Sequence, residues 1–296
     1  MHASAVRLLL ILLAALAIAA PSRAEPLSPG KGSFQFQDAK GEPGKPMTVW
    51  YYRPATLKPD GKVVFVMHGT ERNGEEYRDH WAKLAREHGF LLLVPEFSLR
   101  DYPTDDYQFG GVRNPDPDKW TFAVVEHLFD RIKAEESLST ASYYLYGHSA
   151  GAQFVHRFML FMPNPRVRLA ISANAGSYTL PVYPGWTLYG FPWALDKSLV
   201  GEERLKSVFA RPLLILLGEK DTDPNHKHLP RSREAKAQGE NRFERGKYFY
   251  RLGQEEATRL GAKFNWSLKT VPGVGHSDSR MAKAAADYIA TDGGNP

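Results

Sequence analysis

A serine flanked by small residues is the first candidate for chemistry in this sequence. Ser149 lies in the pentapeptide Gly147-His148-Ser149-Ala150-Gly151, between the apolar run Tyr143–Tyr146 and a segment with helix-compatible apolar residues, 150–162. A sharp turn from strand to helix would hold the serine in a strained conformation, and it needs small residues two positions away because the backbones pass closely. The pattern therefore predicts an exposed nucleophilic serine.

A serine hydroxyl is a poor nucleophile until a positioned base removes its proton, and an acid must orient that base. His276 lies in a glycine-flanked loop after the apolar run 265–271, so it is the candidate base. Asp221 follows the apolar run 212–218 and is the candidate acid, with Asp223 as the alternative. Asp278 is a local alternative that is better explained as a cap at the start of the last helix.

The other histidines have structural explanations. His148 should point away from the Ser149 hydroxyl and serve as a packing or hydrogen-bonding neighbour. His226 and His228 form an i, i+2 pair without further ligands, which is more typical of solvated surface than of a metal site. The four that lie in helical patterns are His80, His88, His127 and His156. We expect no metal and no organic cofactor, since the chemistry needs only side chains and water.

Attack on a carbonyl group creates an oxyanion, which two backbone N–H groups can stabilise. The amide of Ala150 directly follows the candidate nucleophile at a helix N-terminus. The amide of Thr70, in the loop after His68-Gly69, is the expected second donor, and His68 and Gly69 would only shape that loop.

Apolar runs rich in β-branched and aromatic residues alternate with helical patterns along the chain. The strand candidates are 47–53, 62–68, 90–95, 142–146, 167–173, 212–218 and 265–271, and the helix candidates are 75–88, 120–135, the segment after Ser149, and stretches within 241–260 and 278–290. This alternation predicts an α/β fold with a mostly parallel central sheet and helices on both faces. Residues 32–37 and 47–53 should form an antiparallel hairpin at the sheet edge.

Two stretches, 96–119 and about 176–211, do not match regular elements. Both follow strands at the end of the sheet where α/β proteins bind ligands. The second is an aromatic-rich insertion whose substrate-binding candidates are Trp186, Tyr189 and Trp193. Packing of these rings onto the domain is an equally good explanation.

The first 24 residues have a positively charged start, an apolar run at 8–20 and a small-residue cleavage site ending at Ala24. They are typical of a secretory signal peptide, and the apolar run is shorter than the ~20 residues that span a bilayer. We therefore expect a secreted protein, periplasmic or extracellular, with no stable membrane anchor and a single domain over residues 25–296.

Composition narrows the possible partners. The sequence has no cysteine, which excludes disulfides and thiolate metal sites. Its net charge of +5 is mild, and basic residues are interspersed with acidic ones, as in a solvated surface. We expect no nucleic-acid partner.

The chain order Ser149, Asp221, His276, each after a strand, is the order of α/β-hydrolases. Over residues 32–290 the chain resembles that superfamily, and within it the secreted serine esterases and poly(3-hydroxybutyrate) depolymerase-like hydrolases. The matching segments are Phe65–Thr70, Gly147–Gly151, Gly218–Asp221 and Gly275–Ser277.

The resemblance implies a secreted serine hydrolase that cleaves carboxylic esters through an acyl-enzyme, with Ser149 as nucleophile, His276 as base and Asp221 as orienting acid. It favours Asp221 over Asp223, and it implies a lid or acyl-binding wall within 176–211. Many polymer-degrading relatives carry disulfides, so the absence of cysteine favours a small or oligomeric ester substrate. A serine peptidase of the same fold and a non-catalytic binding protein on a hydrolase scaffold remain alternatives.

Overall fold

The computed structural model describes residues 25–184 and 190–291, and an eight-stranded sheet runs through this part of the chain. Its strands are β1 (Gly30–Phe36), β2 (Met47–Arg53), β3 (Val63–Met67), β4 (Leu91–Glu96), β5 (Tyr143–His148), β6 (Val167–Ala173), β7 (Leu213–Gly218) and β8 (Trp266–Val271). The spatial order is β1-β2-β4-β3-β5-β6-β7-β8.

The hairpin expected from the sequence is present at the sheet edge. β1 and β2 pair antiparallel, β2 pairs antiparallel with β4, and all pairs from β4 to β8 are parallel. The predicted α/β fold with a mostly parallel sheet is therefore confirmed. Parallel strands end on the same side, so the loops after β3, β5, β7 and β8 meet at one edge.

The helices cover both faces of the sheet, because the central strands are apolar on both sides. In β3, Phe65 faces one core while Val64 and Val66 face the other, as the pleat requires. One face packs against α1 (Gly74–His88) and α8 (Asp278–Thr291). The opposite face packs against α3 (Ala123–Glu136), α4 (Ala150–Phe161), α5 (Glu202–Phe209) and α7 (Arg242–Arg259).

Residues 96–119 contain regular structure that their sequence pattern did not predict. Helix α2 (Thr104–Phe109) begins after Pro103 and ends at Gly110, whose φ of 74° is left-handed, and a 3₁₀ helix spans Pro117–Lys119. The helix expected from residue 120 begins only at Ala123, because Trp120 has an extended backbone that ends the 3₁₀ turn. A further short helix, α6, spans Arg233–Lys236.

The described part of the 176–211 insertion packs onto the domain. The Leu180 amide donates to the Trp193 carbonyl at 2.8 Å, and Tyr178 is buried against Phe249 with ring centroids 4.5 Å apart. Helix α5 lies inside this insertion. For Tyr178, packing onto the core is therefore the better explanation.

The expected signal peptide, residues 1–24, lies outside the described residues. Within the described ranges, no helix is both long and apolar enough to cross a bilayer.

Candidate active site

Ser149 occupies a strained turn between β5 and α4. Its φ of 58° and ψ of −115° are unusual for a residue with a side chain. A Cβ added at Gly151 would lie 2.0 Å from the Met67 carbonyl oxygen, and one at Gly147 would lie 2.2 Å from the Gly151 carbonyl oxygen. The two glycines therefore let strand and helix approach closely, as the pentapeptide predicts.

Two consecutive hydrogen-bonding contacts join Ser149 to His276 and His276 to Asp221. The His276 Nε2 is 3.0 Å from the Ser149 Oγ, and its Nδ1 is 2.7 Å from the Asp221 Oδ2. A buried carboxylate at Nδ1 favours the tautomer with the proton on that nitrogen, which leaves Nε2 free to accept the serine proton. The loops after β5, β7 and β8 bring the three side chains together.

The two alternative acids have other partners. Asp223 is exposed, and its Oδ1 accepts a hydrogen bond from the Asn225 amide at 2.8 Å, so it braces the loop. Asp278 is the first residue of α8, and its carboxylate contacts the His80 Nδ1 at 2.9 Å and accepts from the Tyr146 hydroxyl at 3.0 Å. The geometry therefore favours Asp221.

Arg242 is a site residue that no sequence pattern predicted. It lies on α7, fully buried, with Nη1 3.4 Å from the Asp221 Oδ1. Burial raises the pKa of Asp221, and the positive charge of Arg242 opposes that rise. Nothing in the sequence marks this contact, because Arg242 is one of several basic residues in a polar helix.

The electrostatic surroundings favour a neutral imidazole at His276. Burial lowers its pKa, and the positive charge of the neighbouring Arg242 lowers it further. A neutral imidazole is the form that can accept a proton from a serine.

Thr70 and Ala150 line the same cavity of about 230 Å³ as Ser149. The loop that carries Thr70 is fixed by the buried His68, whose Nε2 accepts from the Phe97 amide at 3.0 Å. Its Nδ1 must then carry the proton, and it donates to the Gly69 carbonyl at 3.0 Å. Burial lowers the pKa of His68 to about 3, so the ring stays neutral and shapes the loop, as expected.

Tyr77 of α1 connects this loop to the nucleophile turn. Its hydroxyl is 3.2 Å from the His148 Nδ1, and a Cβ at Gly69 would lie 2.7 Å from the same hydroxyl. The His148 ring lies 4.5 Å from that of His276, between centroids. His148 thus has the packing and hydrogen-bonding role predicted for it, directly against the candidate base.

The prediction that His226 and His228 belong to solvated surface is wrong for His226. Its ring is half-buried and lies 4.9 Å from that of His276, whereas His228 is exposed at the rim of the same cleft. Glu71 lies 3.4 Å from both Lys227 and His228, and so links two loops across the cleft. The error arose because a sequence pattern of two histidines does not reveal which loop folds over the base.

The four histidines of the helical patterns lie in structural settings. His80 contacts Asp278, His127 contacts Asp38, His156 contacts Ala152, and His88 is exposed against the ring of Phe90. In the described ranges, no group of three metal-ligating side chains is arranged to hold a metal ion.

Two adjoining cavities meet at Ser149. The cleft that contains His276 has a volume of about 430 Å³ and a polar wall that includes Glu71, Glu76 and Lys227. The second cavity shares Thr70, Ser149 and His228 with this cleft, and its own lining includes Ala150, Phe109 and Trp193. Of the predicted substrate-binding residues, Trp193 therefore lies beside the candidate nucleophile, and Trp186 and Tyr189 lie outside the described residues.

Two solved structures are similar to the chain over nearly all of their length. Poly(aspartic acid) hydrolase-1 from Sphingomonas sp. KT-1 is 38% identical, with a TM-score of 0.84 over 89% of this chain and 99% of that one. LpqC, a poly(3-hydroxybutyrate) depolymerase from Bordetella parapertussis, is 36% identical, with a TM-score of 0.81 over 88% of this chain and 89% of that one.

The chain belongs to the α/β-hydrolase family. This α/β-hydrolase is a serine hydrolase, and the predicted resemblance is confirmed. An S-formylglutathione hydrolase from Agrobacterium tumefaciens, 18% identical with a TM-score of 0.57 over 91% of this chain and 98% of that one, shares the fold. No protein-family model matches the sequence, and no curated protein is significantly similar to it.

Proposed function

We propose that this α/β-hydrolase cleaves carboxylic esters with Ser149 as nucleophile, His276 as general base and Asp221 as orienting acid. The observation that carries the proposal is the hydrogen-bonded series from Ser149 through His276 to Asp221, with distances of 3.0 Å and 2.7 Å, on a strained strand-to-helix turn.

In the first half-reaction, the Ser149 Oγ forms a bond to the ester carbonyl carbon while its proton moves to the His276 Nε2. The carbonyl oxygen becomes an oxyanion, which the amides of Thr70 and Ala150 would bind; one such donor contributes about 3 kcal/mol in serine hydrolases. The ester C–O bond then breaks, and His276 returns the proton to the departing alcohol oxygen. Water repeats these steps on the acyl-enzyme and releases the acid.

Asp221 would hold the His276 tautomer and stabilise the imidazolium formed at each step. Arg242, fully buried behind Asp221, would hold the carboxylate in place and favour its ionised form. Asp221 is buried and lines neither of the cavities that contain Ser149, so its role is electrostatic and positional.

The ester substrate is supported by the similarity to a poly(3-hydroxybutyrate) depolymerase, an enzyme named for a polyester. A second candidate is hydrolysis of amide bonds, because the poly(aspartic acid) hydrolase is at least as similar and is named for a polyamide. The same nucleophile and base serve both reactions, and only the leaving group differs.

Matched substrates distinguish these candidates. The purified protein should hydrolyse ethyl butanoate and leave N-ethylbutanamide intact, a pair without the activated nitrophenyl ester that peptidases also cleave, and Ser149→Ala should lower the kcat for 4-nitrophenyl butanoate by about 10⁴-fold or more. Cleavage of the amide at a rate comparable to that of the ester would favour the amide candidate. Absence of hydrolysis of both substrates by the folded protein would contradict the proposed cleavage of carboxylic esters.

We also infer that the enzyme is exported after removal of residues 1–24, on the basis of the signal-peptide pattern. N-terminal sequencing of protein recovered from the periplasm or medium should begin at Glu25. Recovery of the intact N-terminus from the cytoplasm alone would contradict this inference.

A further inference from the structure

The side chain of His226 lies between the candidate base and a buried arginine. Its ring meets that of His276 nearly edge-on, at 4.9 Å between centroids and 68° between planes. It lines the cleft of about 430 Å³ that contains His276, and it does not line the cavity with Phe109 and Trp193. His226 therefore lines only the first of the two cavities that meet at Ser149.

The hydrogen bonds to His226 define which ring nitrogen carries the proton. Its Nδ1 lies 3.2 Å from the Arg242 Nη2 and 3.3 Å from the backbone N–H of His228. Both partners can only donate, since an arginine and a backbone amide have no acceptor at these atoms. Nδ1 must therefore accept, and the proton is on Nε2.

This tautomer is firmly held. Arg242 is fully buried and also contacts Asp221, so it cannot turn away from His226 without leaving the carboxylate. Burial and the charge of Arg242 lower the pKa of His226, which keeps the ring neutral. No described residue accepts a hydrogen bond from the Nε2–H, and His226 lines the cleft, so this donor remains for a ligand bound there.

The position of the base decides which half of the substrate meets this donor. His276 must return its proton to the departing atom, so that atom lies within hydrogen-bond reach of the His276 Nε2. We therefore expect the leaving group in the cleft that His276 lines, which leaves the cavity with Phe109 and Trp193 for the acyl group.

We infer that His226 is a specificity-determining residue that donates its Nε2–H to an oxygen carried by the leaving group. The leaving group that fits is one with a carbonyl or carboxylate oxygen close to the cleaved bond, as in a hydroxy-acid or amino-acid unit, rather than a simple alcohol. This inference rests on the proposed function, because it uses the orientation that Ser149 and His276 impose.

Two esters with the same acyl group test this directly: the butanoate of 2-butanol, and the butanoate of methyl 3-hydroxybutanoate, whose alcohol carries an acceptor carbonyl. His226→Ala should lower kcat/KM for the second ester by about 10-fold, as expected for loss of one hydrogen bond, and for the first by less than about 3-fold. His226→Gln, which keeps an N–H donor, should recover part of the selectivity. His88→Ala, at an exposed position on α1, is the matched control for removing a histidine.

Equal losses on the two esters, or no loss on either, would overturn the inference and leave the proposed function intact.

A fluorophosphonate probe gives an independent readout, because its labelling rate does not depend on an acceptor in the leaving group. His226→Ala should be labelled within about 2-fold of the wild-type rate if its role is leaving-group recognition. Slower labelling in proportion to the ester losses would identify a structural role. If Ser149→Ala hydrolyses both esters normally, the proposed function itself fails.

Discussion

Asp221 and Asp223 are two positions apart, but only Asp221 is hydrogen-bonded to His276. Asp221→Asn should therefore lower kcat by about 10³- to 10⁴-fold, because an amide favours the wrong imidazole tautomer. Asp223→Asn is the matched control and should stay within about 2-fold of wild type, since that carboxylate only braces an exposed loop. Rates on 4-nitrophenyl butanoate measure both effects. A larger loss in the Asp223 variant would contradict the assignment.

The pH dependence of the reaction follows from the surroundings of His276. Only the neutral imidazole accepts the serine proton, and burial with the charge of Arg242 lowers its pKa from the ordinary value of 6.5. The acid limb of the kcat/KM profile should therefore lie below pH 6.5, with activity lost only as the pH falls through the lowered value. A profile of kcat/KM against pH checks this expectation. An acid limb above pH 6.5 would contradict it.

At the residue scale, the sequence allowed prediction of the residues that follow strands in a fixed order, such as Ser149 and His276. The roles of Arg242 and His226 could not be predicted, because they depend on contacts between a helix and a loop that no local pattern encodes. For the acid that orients His276, the sequence favoured Asp221 but left Asp223 as an alternative. The structure distinguishes the two carboxylates, because Asp221 contacts His276 whereas Asp223 accepts a hydrogen bond from the Asn225 amide.

At the scale of elements, the close passage of β3, β5 and α4 determines where the nucleophile lies. A methyl group at Gly151 would lie 2.0 Å from the Met67 carbonyl oxygen, and rigid backbone cannot yield. Gly151→Ala should therefore lower the free energy of unfolding by about 3 kcal/mol or more. Gly44→Ala, where a Cβ meets nothing within 4 Å, should change it by less than about 0.5 kcal/mol. Urea unfolding measures both effects. Equal free energies of unfolding for the two variants would contradict the close approach of the backbones at Gly151.

The long elements of the fold were predictable because buried strands and amphipathic helices leave strong patterns. Helix α2 was missed, since six residues are too few to establish a helical period. Its Tyr107 is nevertheless fully buried, and its hydroxyl donates to the His68 carbonyl at 2.8 Å. A short helix in an irregular stretch thus supports the loop that carries Thr70.

At the scale of the whole molecule, three buried histidines link stability to pH. Burial lowers the pKa of His68 and His148 to about 3 and that of His156 well below 6.5. The unfolded chain binds these protons near pH 6.5, so their contribution to stability is complete above that pH and is lost as the pH falls. Each histidine can remove up to about 1.4 kcal/mol per pH unit. His80, whose pKa Asp278 raises, acts in the opposite direction.

Urea unfolding between pH 6.5 and about pH 5 should therefore show a steady loss of stability on acidification. His156→Gln removes one of the buried titrating groups and should reduce the slope relative to His88→Gln, which alters an exposed histidine. The comparison uses slopes because His156→Gln also lowers stability at neutral pH. The same stability at both pH values would contradict the account of buried neutral histidines.

Covalent labelling tests the central proposal, that Ser149 is the nucleophile, most directly. A fluorophosphonate probe should modify the wild-type protein, and peptide mapping by mass spectrometry should locate the adduct on Ser149. Ser277 lines the same cleft and offers a second serine, which makes the location of the adduct decisive. We predict labelling of the wild type at Ser149 and none of Ser149→Ala. Undiminished labelling of Ser149→Ala, or an adduct on Ser277 in the wild type, would contradict the proposal.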